Sequence, residues 1–130
     1  MSKLKLPKEK ELSVPELFGM LLNSGPQAHI FHLQTTSYAE HKALNDYYEG
    51  IVPLVDILAE TYQGQHGIIK NYASYQMKDI GESSISFIES ILAKTEKAKE
   101  SLFTESDILN ILDEITALMK QTLYKLKHLK

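Results

Sequence analysis

The stretch SYAEHKALNDYYEGIVPLVDILAETY, residues 37–62, predicts one long helix that decides the fold. Ser37 with Glu40 three residues later is a capping-box signature, so we expect the helix to run from about Tyr38 to Tyr62. Pro53 lies inside and is expected to bend it. Apolar side chains recur with helical spacing, at Leu44, Tyr48, Ile51, Val52, Val55 and Leu58.

One face of this helix carries candidate metal-ligating side chains. At about 100° per residue, they share a sector of roughly 100°. These residues are His41, Asn45, Glu49, Asp56 and Glu60. Imidazoles with carboxylates suit iron, and also manganese or zinc.

The spacing of these ligands indicates a dimer. His41 and Asp56 are about 22 Å apart along a helix, so they cannot bind one ion within a single chain. Two copies of the helix, antiparallel across a two-fold axis, would bring His41 of one chain to Asp56 and Glu60 of the other, twice. Glu49 alone is read as a surface residue.

Three further helices are expected around this one. Ser13 with Glu16 opens the first, and Gly25-Pro26 is expected to kink or break it. Ser24 with Gln27 offers a second start, after which the helix would resume through His29 and His32. Ser83 or Ser84 opens the third helix, Thr104 with Asp107 caps the fourth, and residues 68–81 form a crossover with a short helix of its own.

The predicted fold class is therefore all-α, a ferritin-like four-helix bundle with a long crossover between the second and third helices. Residues 13–130 form the single domain, and residues 1–12 a flexible basic tail. The 130 residues are 43% apolar and 24% charged, and cysteine is absent, which excludes disulfides and thiolate zinc sites. With no signal peptide and no apolar run near the ~20 residues of a membrane span, a cytoplasmic protein without a membrane partner is expected.

These residues resemble the ferroxidase pattern of the Dps family, the DNA-protecting mini-ferritins. His29, His41, position 45, Asp56 and Glu60 stand at separations of 12, 4, 11 and 4. Two local sequences also resemble the family: Ala28-His29, and the D-x-x-A-E pattern from Asp56 to Glu60. The resemblance covers residues 13–62, and beyond them it rests on helix order.

The resemblance implies Fe(II) oxidation by peroxide or oxygen and iron storage inside a twelve-subunit shell. Asp56 and Glu60 would be the anionic ligands, and His29 and His41 would be the imidazole ligands. These four residues would form the catalytic site. His32 is an alternative to His29, if the chain aligns with a shortened turn. Asn45 stands where the family has Asp, and it would be a weak ligand or a residue that hydrogen-bonds a ligand without binding the metal.

Plainer interpretations stay open. Asp56 and Glu60 at i, i+4 are often a solvated face, and bundle histidines such as His66 and His128 are usually packed or on the surface. The alternative function is a ferritin-like structural or interaction protein that has lost efficient ferroxidase chemistry, which Asn45 favours. Tail lysines could bind DNA, but their mixture with glutamates is more typical of a solvated tail.

Overall fold

The structure, a computed structural model, describes residues 11–73 and 83–130 and contains four α-helices in that part of the chain. They are α1 (Val14–Gln34), α2 (Tyr38–His66), α3 (Ser84–Leu102) and α4 (Ser106–His128). No strand occurs in these two ranges, so the predicted all-helical class is confirmed. Residues 1–10, most of the expected tail, lie outside the described residues. So do residues 74–81 of the expected crossover, whereas its residues 68–73 are described and are not helical.

Local sequence signals explain most helix ends. Ser13 accepts from the backbone N–H of Glu16, whose side chain returns the bond, so the capping box at α1 is confirmed. Ser37 accepts from Glu40 N–H, and Ser83 from Ser86 N–H. α2 continues four residues beyond the expected Tyr62 and ends at Gly67, whose φ of 91° suits glycine.

The expected break at Gly25-Pro26 is wrong, because α1 is one continuous helix. Ser24 does not start a new helix: its buried hydroxyl bonds the carbonyl of Leu21 and the hydroxyl of Tyr47. Pro26 is exposed, so the carbonyl that loses its N–H partner has access to water.

The expected cap of the fourth helix is also wrong. Thr104 is not the N-cap of α4; Glu105 is, and its side chain makes no capping bond. Asp107 bonds the backbone N–H of Ile108 instead. The Glu105 side chain instead hydrogen-bonds His66 of α2, whose Nε2 lies 2.6 Å from a Glu105 carboxylate oxygen.

Contacts between ends fix the helix directions. At one end, Tyr62 near the end of α2 packs on Phe18 of α1 and on Phe103 after α3. At the other end, Phe31 late in α1 packs on Phe87 early in α3, and Lys125 late in α4 pairs with Asp46 early in α2. Helices α2 and α3 therefore run parallel, so the end of α2 and the start of α3 lie at opposite ends of the bundle.

Each helix packs against two others in the described part of the bundle. α1 contacts α2 and α3, and α4 contacts the same two helices, so α2 and α3 lie on one diagonal. The core between them is apolar and includes Phe18, Leu44, Ile51, Leu58, Ile88, Ile91, Leu112 and Ile115. Among the described helices, none is long and apolar enough to cross a membrane.

Candidate functional site

Two histidines join the end of α1 to the start of α2. Nδ1 of His32 lies 2.7 Å from the carbonyl oxygen of His41, and Nδ1 of His41 lies 2.8 Å from that of His32. Their rings stack with centroids 3.6 Å apart and planes 18° apart. Because a carbonyl oxygen only accepts, both Nδ1 atoms carry hydrogen, which leaves both Nε2 atoms with a free lone pair in the neutral rings.

These Nε2 atoms reach the molecular surface. His32 is only 7% exposed, but neither ring makes a hydrogen bond through Nε2. Across residues 11–73 and 83–130, no side-chain nitrogen or oxygen is both buried and unpaired. Nε2 of His32 and of His41 therefore touches solvent. An imidazole held through Nδ1–H by a carbonyl, with Nε2 accessible, is the usual arrangement of a metal-ligating histidine.

His29 lies beside this pair. Its ring centroid is 5.5 Å from that of His32, and it stacks on Tyr48 at 4.2 Å with planes 8° apart. Tyr48 donates its hydroxyl hydrogen to Oδ1 of Asn45 over 2.6 Å. Three imidazoles and an amide thus share one region of the α1–α2 surface, with the amide oxygen already engaged by tyrosine.

The two predicted anionic ligands lie elsewhere on the same helix. Asp56 and Glu60 are exposed on α2 beyond Pro53, about 22 Å and about 28 Å along the axis from His41. In the described ranges, no three His, Asp or Glu side chains are placed to hold a metal ion together. The candidate site residues therefore remain a prediction for an assembly of two chains.

The His32–His41 pair is the feature that sequence reasoning missed. α1 and α2 are joined by only residues 35–37, so they form an antiparallel hairpin. Residues equally far from the centre of such a link face each other. His32 and His41 nearly satisfy that symmetry, and so do Ser24 and Tyr47, whose hydroxyls are 2.7 Å apart. The distances of these residues from the link could therefore have predicted the contact between His32 and His41.

Exposed apolar side chains surround the candidate ligands. On α1 they follow one stripe, with Leu22 39%, Ile30 46% and Leu33 70% exposed. On α2, Val52 is 46% exposed and lies between Asn45 and Asp56 on the ligand-bearing face. Apolar residues interleaved with candidate ligands are typical of a surface that another molecule covers.

Comparison with known proteins gives a family without a stated activity. Residues 32–126 match a family of unknown function, DUF5856, a range that contains all the candidate ligands except His29. The chain is also similar to an uncharacterized 14.6 kDa protein in the mobD-ri intergenic region of Enterobacteria phage T4. The two are 27% identical over 119 residues, which are 90% of each chain. No solved structure matches the chain.

Proposed function

The chain belongs to the family of unknown function DUF5856, and we propose that it is a Dps-like protein that binds and oxidises Fe(II) at a site shared by two chains. The observation that carries this proposal is the pair of histidines whose Nδ1–H groups are held by backbone carbonyls while both Nε2 atoms stay accessible. Holding the rings in this way lowers the entropy cost of binding a metal ion.

The order of the helices supports a ferritin-like bundle. The bundle contains two antiparallel hairpins, α1–α2 and α3–α4, in which α2 and α3 are parallel, so the link from α2 to α3 joins opposite ends of the bundle. Bundles with one long crossover of this kind include the ferritin-like folds, which bind their metals through His and carboxylate side chains.

Assembly would supply the missing ligands. If two α2 helices pack antiparallel, the two-fold axis passes midway between position 41 and positions 56–60, at about position 49 or 50, which is less than one helical turn from Val52. His41, with His29 or His32, would then face Asp56 and Glu60 of the second chain. Twelve such chains could form the storage shell that the resemblance implies.

The donor set fits the substrate. Carboxylates of Asp56 and Glu60 would hold Fe(II) most tightly, imidazoles would complete the shell, and Asn45 would bind weakly or orient a neighbour. Manganese or zinc suits the same donors. Two Fe(II) ions each give one electron to hydrogen peroxide, which takes up two protons and leaves as two water molecules. We place this reaction in the cytoplasm, where Fe(II) is available.

The decisive experiment is a titration with Fe(II) under oxygen or peroxide, followed by absorbance. Wild type should oxidise Fe(II) faster than the protein-free control, and an Asp56→Ala, Glu60→Ala variant should lose at least about tenfold of that rate. A matched control removes two negative charges from exposed positions elsewhere, Glu100→Ala with Glu114→Ala, and should keep the rate. Equal rates in all samples would overturn the enzyme proposal.

The dimer is tested separately by sedimentation. Val52→Glu places a carboxylate near the proposed axis and should shift the protein to monomer. Ile57→Glu is the control, because Ile57 is 49% exposed, as Val52 is 46%, but lies about 140° further round α2. The same mass for both variants would exclude the proposed axis.

A second candidate is a structural or interaction protein without efficient ferroxidase chemistry. The hydrogen bond from Tyr48 to Asn45 favours it, since this bond already occupies one lone pair of the amide oxygen and competes with a metal for it. The stacked His32 and His41 would then serve only to hold α1 and α2 together. A stable dimer that oxidises no Fe(II) and binds no divalent metal in calorimetry would support this candidate.

A further inference from the structure

A second candidate site lies at the end of the bundle where α1 ends and α2 and α3 begin. A cavity of about 310 Å³ opens there. Its walls are Phe31, Gln34, Thr35, Glu40, Ser83 and Ser84. None of these six residues is among the candidate metal ligands, so the cavity is independent of the proposed ferroxidase function.

Ser84 presents an unused hydroxyl to this cavity. The residue is only 2% exposed, and its side chain makes no hydrogen bond. Since the described residues contain no side-chain oxygen that is both buried and unpaired, the small exposed part of Ser84 includes Oγ. Ser84 lines the cavity, so this hydroxyl opens into it.

The wall around Ser84 carries positive potential. Ser84 is the first residue of α3, whose opening N–H groups have no partner inside the helix. Ser83 satisfies the N–H of Ser86, and no acidic residue lies in the first turn. The N–H groups of Ser84 and Ile85 are left for an anion, which the helix dipole also favours.

Negative charge also lines the cavity. Glu40 is half-buried, and its carboxylate makes no ion pair in the described part of the chain. Gln34 and Thr35 close the C-terminal end of α1, where carbonyl oxygens carry partial negative charge. Phe31 also lines the cavity and offers an apolar surface.

We propose that this cavity binds a small free α-amino acid. Its carboxylate accepts hydrogen bonds from the Ser84 hydroxyl and from the first N–H groups of α3, and its ammonium pairs with Glu40. A small apolar side chain packs on Phe31. Because the N-terminal turn of α3 and the Glu40 carboxylate line the same cavity, a zwitterion is favoured over a simple anion or cation, which would leave one of the two groups unsatisfied.

Binding is tested by ¹H–¹⁵N NMR of the full chain with three probes of similar size: L-alanine, propionate and ethylamine. Propionate lacks the ammonium group of alanine, and ethylamine lacks its carboxylate. L-Alanine should shift the amide signals of Ser84 and Ile85, with at least about tenfold tighter binding than either analogue. No shift with L-alanine, or equal binding of an analogue, would overturn the proposal.

Two variants assign the binding to these walls. Glu40→Gln keeps the shape of the side chain and should weaken L-alanine binding about tenfold while leaving propionate unchanged. Ser84→Ala should weaken L-alanine and propionate together, by roughly threefold to tenfold. Glu49→Gln, on the exposed face of α2, is the control and should bind as wild type. Unchanged L-alanine binding in Glu40→Gln would also overturn the proposal.

Discussion

His32 and His41 exchange hydrogen bonds with each other's backbone, each imidazole Nδ1–H donating to the carbonyl oxygen of the other residue. The two bonds and the stacked rings close the α1–α2 hairpin next to its short link. Two helix carbonyls are thereby bonded by side chains of the facing helix, so the pair joins secondary structure to tertiary packing.

Replacing His32 should therefore destabilise the fold. His32→Ala removes one of the two bonds, leaves the ring of His41 without its stacked neighbour, and creates a small cavity. We expect a loss of about 1–3 kcal/mol in the free energy of unfolding. Urea denaturation followed by circular dichroism measures it. His29→Ala, at an exposed position, should cost less than about 1 kcal/mol, and equal losses for the two variants would contradict this role.

The buried Ser24–Tyr47 pair gives a second prediction. The hydroxyl oxygens are 2.7 Å apart, and Tyr47 is fully buried. Tyr47→Phe should cost about 1 kcal/mol, because Ser24 loses a partner in the core. The double variant with Ser24→Ala should cost less than the sum of the two single variants, as measured by urea denaturation. Strict additivity would show that the hydroxyls do not interact.

Titration of the tyrosines checks the same environment. Burial raises the pKa of Tyr47 well above its ordinary value, against a smaller opposite effect of the Ser24 hydrogen bond. During alkaline titration at 295 nm, a wavelength typical of tyrosinate, Tyr47 should stay neutral until the protein unfolds. Tyr47→Phe should remove only the part of the signal that appears together with unfolding. Loss of an early-titrating component instead would place Tyr47 at the surface.

Two glycines should respond oppositely to alanine. A Cβ at Gly19 would collide with the backbone carbonyl of Ala73, which packs closely over α1. At Gly64 in α2, a Cβ would meet nothing within 4 Å. We expect Gly64→Ala to stabilise the protein by about 0.5–1 kcal/mol through helix propensity, and Gly19→Ala to destabilise it. Thermal unfolding distinguishes them, and a stabilising Gly19→Ala would show that residue 73 is not held against α1.

The pair between His66 and Glu105 predicts how acid affects one end of the bundle. The hydrogen bond from His66, followed by one from the Thr104 backbone, lowers the pKa of Glu105. A lowered carboxyl pKa contributes stability at neutral pH, which is lost as the pH falls through and below the ordinary glutamate range. Glu105→Gln should reduce stability at pH 7 slightly and flatten its decline in acid, measured by urea denaturation at several pH values. An unchanged acid profile would show that the pair contributes nothing.

Helix existence was predictable because each helix has its own local signal, such as the Ser13 and Ser37 caps and the periodic apolar residues of α2. The errors came from tertiary effects. Pro26 suggests a break, but packing of α1 on α2, where Gly25 faces Ile51, holds the helix together. Glu105 replaces Thr104 as the cap because His66, remote in sequence, binds its side chain. Local pattern cannot reveal such partners.

The site was predictable only in part for the same reason. Periodicity along α2 correctly places Asp56 and Glu60 on an exposed face, but it cannot predict which residues of α1 pack against α2. The contact between His32 and His41 depends on the length of the link between the helices, and the engagement of Asn45 by Tyr48 depends on rotamers. Ligands that would come from a second chain lie outside what one chain's pattern can locate.

The parallel course of α2 and α3 has a consequence for chain length. The link between α2 and α3 joins opposite ends of the bundle, and the entropy of closing a loop changes by only about 0.6 kcal/mol when the loop's length doubles. The link 35–37 has no such freedom, because Ser37 must cap α2 and Thr35 must accept from the N–H of Ser37. Insertions and fused sequences should therefore be accepted between α2 and α3 and rejected between α1 and α2.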